Sequence, residues 1–488
     1  MRVAELFSFR EERIKVLHLT WIAFFICFFT WFNMAPLATT MVKTSGWLTM
    51  QHVQALAVLN VALTIPARII VGMLLDKYGP RLVFSGLLVT MAVPTFVFAF
   101  GDSWMQLFIS RLVLSTIGAS FVVGIRMVAE WFPPKSVGFA EGFYAGWGNF
   151  GSAAAAMLLP WVALTAFGGD NGWRYALAFT GAACLIYGII YFFLVKDTPE
   201  GKIYHKPKKV GAMEVSSWGD MVQLILWKIP LIGAIVLLSW RLKNMGFLSE
   251  TTLNVIIVFH IGVFIYHVVK ILQVNVPILR KGVPEDDKYR FGSVAALNTT
   301  YIANFGAELA VVSMLPAFFQ LTFNLSPTTA GLVAASFAFV NLVARPLGGW
   351  LSDRMGNRKR IMLIYMFGIG LGFIGMGMIN SEWPLIMAIA ITVLCSIFVQ
   401  GAEGATFAII PLIKKRITGQ IAGMAGAYGN VGAVVYLTIF TMVTPQQFFF
   451  IIAGGAFFSF LYCCIFLEEP KDAFAEEYVL SSVDNELV

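Results

Sequence analysis

Charge is scarce in this sequence. Asp, Glu, Lys and Arg make up 12% of its 488 residues, while 58% are hydrophobic. That is about half the charged share of a soluble domain, too little to clothe a water-borne fold of this size. Cysteine is sparse as well: Cys27, Cys184, Cys395, Cys463 and Cys464 all sit inside apolar runs, and the five histidines do not cluster. Odd in number and without metal-ligand spacing, the thiols read as small buried hydrophobes, which argues against a redox or metal enzyme. No metal, no cofactor and no enzyme chemistry is expected.

What is present is apolar sequence in runs of about 20 residues or more, the bilayer-spanning pattern. The fold class expected is all-α, a polytopic membrane protein. The first run, from about His18 to Thr40, is too long for a signal-peptide core and reads as a retained span. Spans follow near 51–75, 83–101, 105–131, 138–165 and 173–195, and a second set near 292–322, 327–351, 361–380, 384–411, 419–444 and 447–467. Two further runs, near 219–240 and 252–275, lie between the sets. They are read as two extra spans in preference to one interfacial hairpin, although Lys228, Pro230, His260 and His267 interrupt them.

Basic residues set the orientation. Arg2, Arg10, Arg13, Lys15, Lys77, Arg81, Lys135, Lys202, Lys206, Lys208, Lys209, Arg280, Lys281, Lys288, Arg290, Arg354, Arg358, Lys359, Arg360 and Lys414–Arg416 all fall on one side. That side is expected to be cytoplasmic, with both termini on it, in the plasma (inner) membrane. The net charge of +7 follows from this asymmetry, so no nucleic-acid partner is expected.

The two sets resemble each other. Arg68, Gly72 and Asp76 in PARIIVGMLLDKYGPR have the spacing of Arg345, Gly349 and Asp353 in ARPLGGWLSDRMGNRKR. Gly138 and Asn149 are spaced like Gly419 and Asn430. A parallel repeat with binding at its interface is a transporter design. The expected organisation is a six-helix bundle at 1–200, a linker with two extra helices at 201–290, a second bundle at 291–468 and an acidic tail at 469–488, read as a solvated extension.

GWGNFG, residues 146–151, has the glycine pattern of a dinucleotide loop, but no strand leads into it and the pattern is weak without one. Its near copy AYGNVG, residues 427–432, is embedded the same way. Gly146, Gly148, Gly151, Gly429 and Gly432 read instead as small residues that let helices approach closely. Asn149 and Asn430 need a polar partner inside the membrane. Arg68 and Arg345 carry more weight. Each lies about 12 Å deeper than its aspartate, near the midplane, and a guanidinium there cannot lose its proton. No acid lies one turn from either arginine. The two are expected to face each other without a counter-ion and to hold a small planar oxyanion between their forks.

These residues resemble a known family. GMLLDKYGPR and GGWLSDRMGNRKR look like the signature loop of the major facilitator superfamily, and AGWGNFG and GAYGNVG like the signature of its nitrate/nitrite porter family. WIAFFICFFTWFNMAPL, GFAEGFYAGWGNFGSA and FGAELAVVSMLPAFF look closest to its cyanobacterial nitrate/nitrite permease branch. The resemblance implies twelve core helices, alternating access and a monomer carrying nitrate and nitrite. It matches Arg68 and Arg345 to substrate-clamping arginines and Asn149 and Asn430 to the signature asparagines. Asp76, Arg81, Asp353 and Arg358 fall in the gating loops, and Phe121 and Phe305 in suitable places to flank the anion. Phenylalanine is so common here, 44 in all, that core packing is the simpler reading of both rings. Uptake against an inside-negative potential calls for a co-transported cation, with protons the expectation, and Glu308 and Glu403, well inside apolar runs, are the candidates. Nitrate/nitrite exchange needs no such group. Arg126 and Glu130 are expected to pair, with Arg126 also reaching an acid such as Glu308. A nitrate sensor signalling through the acidic tail is the reading from another class.

Overall fold

Backbone polar groups cannot stay open in hydrocarbon, so apolar runs of this length coil into helices. The computed structural model describes residues 3–207 and 211–486, and no strand occurs among them. Arg2, Lys208 and Lys209 from the charge pattern lie outside the described residues, as does the very end of the tail.

Fourteen described helices are long and apolar enough to cross a membrane. They are α1 (Glu12–Ser45), α2 (Met50–Tyr78), α3 (Pro80–Phe100), α4 (Trp104–Trp131), α5 (Val137–Phe167), α6 (Gly172–Leu194), α7 (Trp218–Asn244), α8 (Glu250–Lys281), α9 (Glu285–Phe323), α10 (Thr329–Arg354), α11 (Arg358–Gly377), α12 (Leu385–Ile413), α13 (Lys415–Phe440) and α14 (Pro445–Phe466). The six-two-six order read from the sequence is the order observed. Within the first set α1 packs on α5 and α3 on α6, and the later set repeats this with α9 on α13 and α11 on α14. The widest contacts between the sets are also a matched pair, α2 on α13 and α5 on α10.

Glycine makes those crossings possible. Along α5, Gly138, Gly142 and Gly146 recur every four residues and face α10. A Cβ on Gly142 would lie 2.5 Å from the Arg345 carbonyl oxygen and 2.8 Å from the Pro346 Cα. Gly148 and Gly151 point elsewhere, onto Phe24 and the α1 backbone at Phe25 and Phe29. Gly429 and Gly432 seat α9, meeting Tyr301, Phe305 and Ile302. GWGNFG therefore serves two helix seams at once, and AYGNVG seats its half of the repeat.

The inserted helices do not stand apart. α7 packs on α8 and also touches the first part of α2 and α13, so it contacts both sets. α8 buries only a narrow stripe, Leu253, Ile271, Val274 and Asn275. At about 1.5 Å per residue it is longer than a roughly 30 Å apolar core requires.

The tail departs from expectation: it is docked. Glu469 caps the N-terminus of α11 through the backbone N–H groups of Arg358 (2.9 Å) and Lys359 (2.7 Å). The carbonyl of Ala473 accepts from Arg358 Nη2 at 3.1 Å and that of Ala475 from the Lys135 N–H at 3.3 Å. Farther on, Asp484 meets Arg416 at 2.8 Å. Arg416 is otherwise held by Glu214 of the linker and Asp287 at the start of α9. A buried guanidinium needs such company, and the tail's carboxylates supply part of it.

Substituting Gly142 by Ala should overpack the α5–α10 seam, at a cost of about 1–3 kcal/mol. Thermal melts of the purified protein should show a clear drop in Tm. Gly454→Ala, where an added Cβ meets nothing within 4 Å, should leave Tm unchanged.

Candidate functional site

Arg68 on α2 is fully buried, with its charge held by two carbonyls from different helices. Nε donates to the Gly118 oxygen at 3.0 Å and Nη1 to the Gly426 oxygen at 2.5 Å. Gly118 lies in a tight 3-10 turn, Ser115–Ala119, that interrupts α4. Such a turn departs from the i→i−4 ladder, and the guanidinium reaches a carbonyl there. The Gly426 oxygen also accepts from Asn430 Nδ2 at 3.4 Å, which places the asparagine beside the arginine. The Asn430 Oδ1 is buried without a partner among the described residues.

Arg345 on α10 has different company. Its Nη1 lies 2.5 Å from Glu403 Oε2 on α12, and Nη2 donates to the Tyr301 hydroxyl at 3.2 Å. The expectation of two arginines without a counter-ion is thus half wrong. No acid lies near Arg345 along its own helix, but the packing of α12 on α10 delivers one. The other carboxylate, Glu308, accepts from Asn341 Nδ2 (3.1 Å) and Gln400 Nε2 (3.4 Å) and is a close neighbour of Glu403.

One ring joins the two arginines. Phe121 on α4 lies 5.6 Å from the Arg68 guanidinium carbon and 5.3 Å from that of Arg345. Phe305 lies 5.3 Å from Arg68. These distances fall within cation–π range, so both rings pack on guanidinium groups as well as in the core. Tyr301 stacks on Phe305, with centroids 5.0 Å apart and planes 4° from parallel, and Phe407 meets Phe121 edge-on at 4.5 Å. A π-helical turn at Ile302–Gly306 follows Tyr301 and carries Phe305; turns of this kind concentrate at functional sites. Tyr301 and Phe407 were not singled out in the sequence. The available signal was spacing: each lies four residues from a chosen residue, Phe305 or Glu403, on the same helix face.

Asn149 is buried on α5, and its side chain makes no hydrogen bond among the described residues. It is one turn beyond Gly146, where a Cβ would lie 3.6 Å from that of Arg345.

Two turns from the arginines, the aspartates join the two sets on one side. Asp76 accepts from the backbone N–H groups of Gly419 and Gln420, both at 2.9 Å, at the N-terminus of α13. Asp353 does the same for α5, from Gly138 at 3.0 Å and Phe139 at 2.7 Å. Each carboxylate of one set therefore caps a helix of the other, where the helix dipole favours negative charge. Arg358 reinforces this. It pairs with Asp353 at 2.9 Å and donates to the Pro134 carbonyl across the seam at 2.5 Å. Arg81 stays within its own set, donating from Nε to the Phe192 carbonyl at 2.8 Å. Arg126 pairs with Glu130 at 2.9 Å as expected, but the further acid it approaches is Asp76, at 3.9 Å, in place of Glu308.

Comparison with known proteins bears on the family and the fold. The family model described as Major Facilitator Superfamily matches residues 20–279 and 297–480. The nitrate/nitrite transporter NrtP of Picosynechococcus sp. is 46% identical, over 97% of this chain and 96% of its own length. NrtP of Nostoc punctiforme is 47% identical with the same coverage. High-affinity nitrate transporter 2.3 of Oryza sativa subsp. japonica is 28% identical over 89% of this chain and 73% of its own. Among solved structures, the proton:xylose symporter XylE superposes with a TM-score of 0.63 at 14% identity, covering 95% of this chain and 98% of that one. That likeness concerns the fold.

Arg345→Ala should strand a buried carboxylate at Glu403 and destabilise the protein by about 3–5 kcal/mol. The double variant Arg345→Met with Glu403→Gln should recover most of that loss. A double-mutant cycle from equilibrium unfolding in detergent measures both.

Proposed function

Because the chain belongs to the Major Facilitator Superfamily, and within it to the nitrate/nitrite porters, we propose that it takes up nitrate, and nitrite with it, by alternating access. The observation that carries this reading is the meeting of Arg68 and Arg345. They hold equivalent positions in the two sets, both are buried, and both lie against the face of Phe121. A planar oxyanion suits two planar forks, each offering parallel N–H donors, whereas an ammonium is a point charge without that geometry. Sugars and other neutral solutes give no reason for two cations at this depth.

In this reading the bundles at 1–200 and 291–468 rock about the anion, with 201–290 as the linker. The side bearing both termini is cytoplasmic, by its Lys and Arg excess, and the membrane is the plasma or inner membrane. The Asp76 and Asp353 caps hold that side shut until the halves part. Asn430, its oxygen unpaired among the described residues, and Asn149 offer amides to the anion or its path. The protein works as a monomer in the bilayer.

Coupling is to protons, through Glu403 and its neighbour Glu308. Charged, Glu403 competes with the anion for Arg345; protonated, it releases that guanidinium to the substrate. Exchange of nitrate for nitrite is the rival, favoured by the neutral company of Arg68, which needs no proton to accept an anion. A sensor would bind nitrate without moving it.

In proteoliposomes, Arg68→Lys and Arg345→Lys should each lower nitrate uptake about 100-fold, in line with the loss of a charge-assisted bidentate contact. Near-normal uptake by both would refute the clamp. Nitrate-evoked current should be inward and grow as the external pH falls. Electroneutral uptake that requires internal nitrite would establish exchange instead, and binding without uptake would establish the sensor.

A further inference from the structure

A second cationic cavity lies outside the central site, where the inserted helices meet the core. It is lined by Lys228 of α7, His267 of α8, Gln420 and Met424 of α13, Met73 of α2 and the linker at Met213. Lys228 sits where α7 breaks. The helix ends at Leu226 and resumes at Ile229, with Pro230 at its start. The Trp227 carbonyl accepts from the Tyr428 hydroxyl, which pins the break to α13. Proline here removes an amide that the helix start would leave unpaired anyway, so the break belongs to the sequence.

Lysine is an expensive residue at such a place, and one within a membrane span calls for a named partner. Among the described residues no carboxylate pairs with Lys228 or with His267. The His267 Nδ1 is buried without a hydrogen-bond partner, and its charged neighbour is Lys228 itself. Two basic side chains thus share one cavity with no acid between them. The linker residues on its wall place the cavity toward the side that bears both termini, and the four-carbon lysine stem lets an ammonium reach toward the headgroup level. Methionines and the α8 residue Ile271 supply the apolar wall.

We propose that this cavity binds the phosphate group of an anionic phospholipid, with Lys228 as the charge partner and His267 and Gln420 as hydrogen-bonding groups. Basic pockets between spans suit such headgroups. The apolar wall and the lipid-facing side chains of α8, such as Tyr266 and Val269, which are exposed, favour a lipid over free phosphate. The site also touches the closing machinery. The Gln420 backbone N–H is half of the cap that Asp76 makes on α13, and Met73 precedes that aspartate by less than one turn. An occupant therefore braces the α2–α13 seam in the closed arrangement.

Native mass spectrometry of the full chain tests this, with phosphatidylglycerol, phosphatidylcholine and inorganic phosphate as probes. The expected result is one phosphatidylglycerol retained at least 10-fold better than phosphatidylcholine, a preference lost in Lys228→Met and kept in Lys228→Arg. Displacement of the lipid by millimolar inorganic phosphate would keep the oxyanion site and assign it to a soluble ligand. Equal retention of both lipids with no phosphate bound, or a preference unchanged in Lys228→Met, would overturn the proposal. Should Lys228→Met fail to fold, acylation of Lys228 in the unaltered protein decides the matter: phosphatidylglycerol should slow it several-fold and phosphatidylcholine should not. Each readout is binding, so it stands or falls separately from nitrate transport.

Discussion

A guanidinium in an apolar span cannot shed its charge, and the centre of this protein is arranged around two of them. The cost of an unpaired cation in low dielectric is several kcal/mol even after relaxation, so every contact of Arg68 and Arg345 is a condition of folding before it serves function. Arg68 meets that condition with carbonyls. One comes from the tight turn at Gly118, the other from Gly426 on the opposing set, and both bring neutral dipoles in place of a counter-charge. Arg345 meets it with Glu403 and the Tyr301 hydroxyl. The irregular turns in α4 and α9 lie beside these contacts, and they are local departures from regular helix that the arginines help to pay for.

The same economy of contacts governs the closed side. Each aspartate cap on a helix N-terminus is worth about 0.5–2 kcal/mol. The two together fall short of the roughly 5.5 kcal/mol that carries a two-state equilibrium from 1:99 to 99:1. Under the alternating-access proposal the caps therefore bias closure without locking it. Arg358, bridging Asp353, the Pro134 carbonyl and the tail at Ala473, adds to that bias. So does the docked tail, whose Ala475 carbonyl accepts from the Lys135 N–H of the first set.

Much of the fold was legible because the bilayer reduces the choice of structures. Run length and the six-two-six order were read from hydropathy alone, and the spacing of Arg68 to Asp76 and Arg345 to Asp353 exposed the repeat. Gly138 and Gly419 were noticed as repeat markers, and they turned out to be the helix ends that the aspartates cap. Three things were hidden, each for the same reason. Glu403 beside Arg345, Asp76 beside Arg126 and the tail beside Arg416 are contacts between residues far apart in the chain. Periodicity shows which face of a helix is polar, but it does not say which other helix will meet that face. The rings were hidden differently: with so many phenylalanines, nothing in composition separates Phe121 from its neighbours until two cations are seen against it.

Symmetry between the sets ends at the charge partners, and that is where coupling has to be sought. Among the described residues Arg68 donates only to carbonyls, so under the clamp proposal an anion approaching it displaces neutral partners. Arg345 already holds a carboxylate, so the same anion must compete with Glu403 or wait until that acid is neutral. Under the symport proposal a proton on the Glu403–Glu308 pair removes the competitor. Linkage then runs both ways: a proton that tightens nitrate binding by some factor is itself held more tightly, by the same factor, once nitrate is bound. The pair of arginines alone would bind an anion and leave the proton indifferent. Under that proposal the acid on one of them makes the two ligands depend on each other.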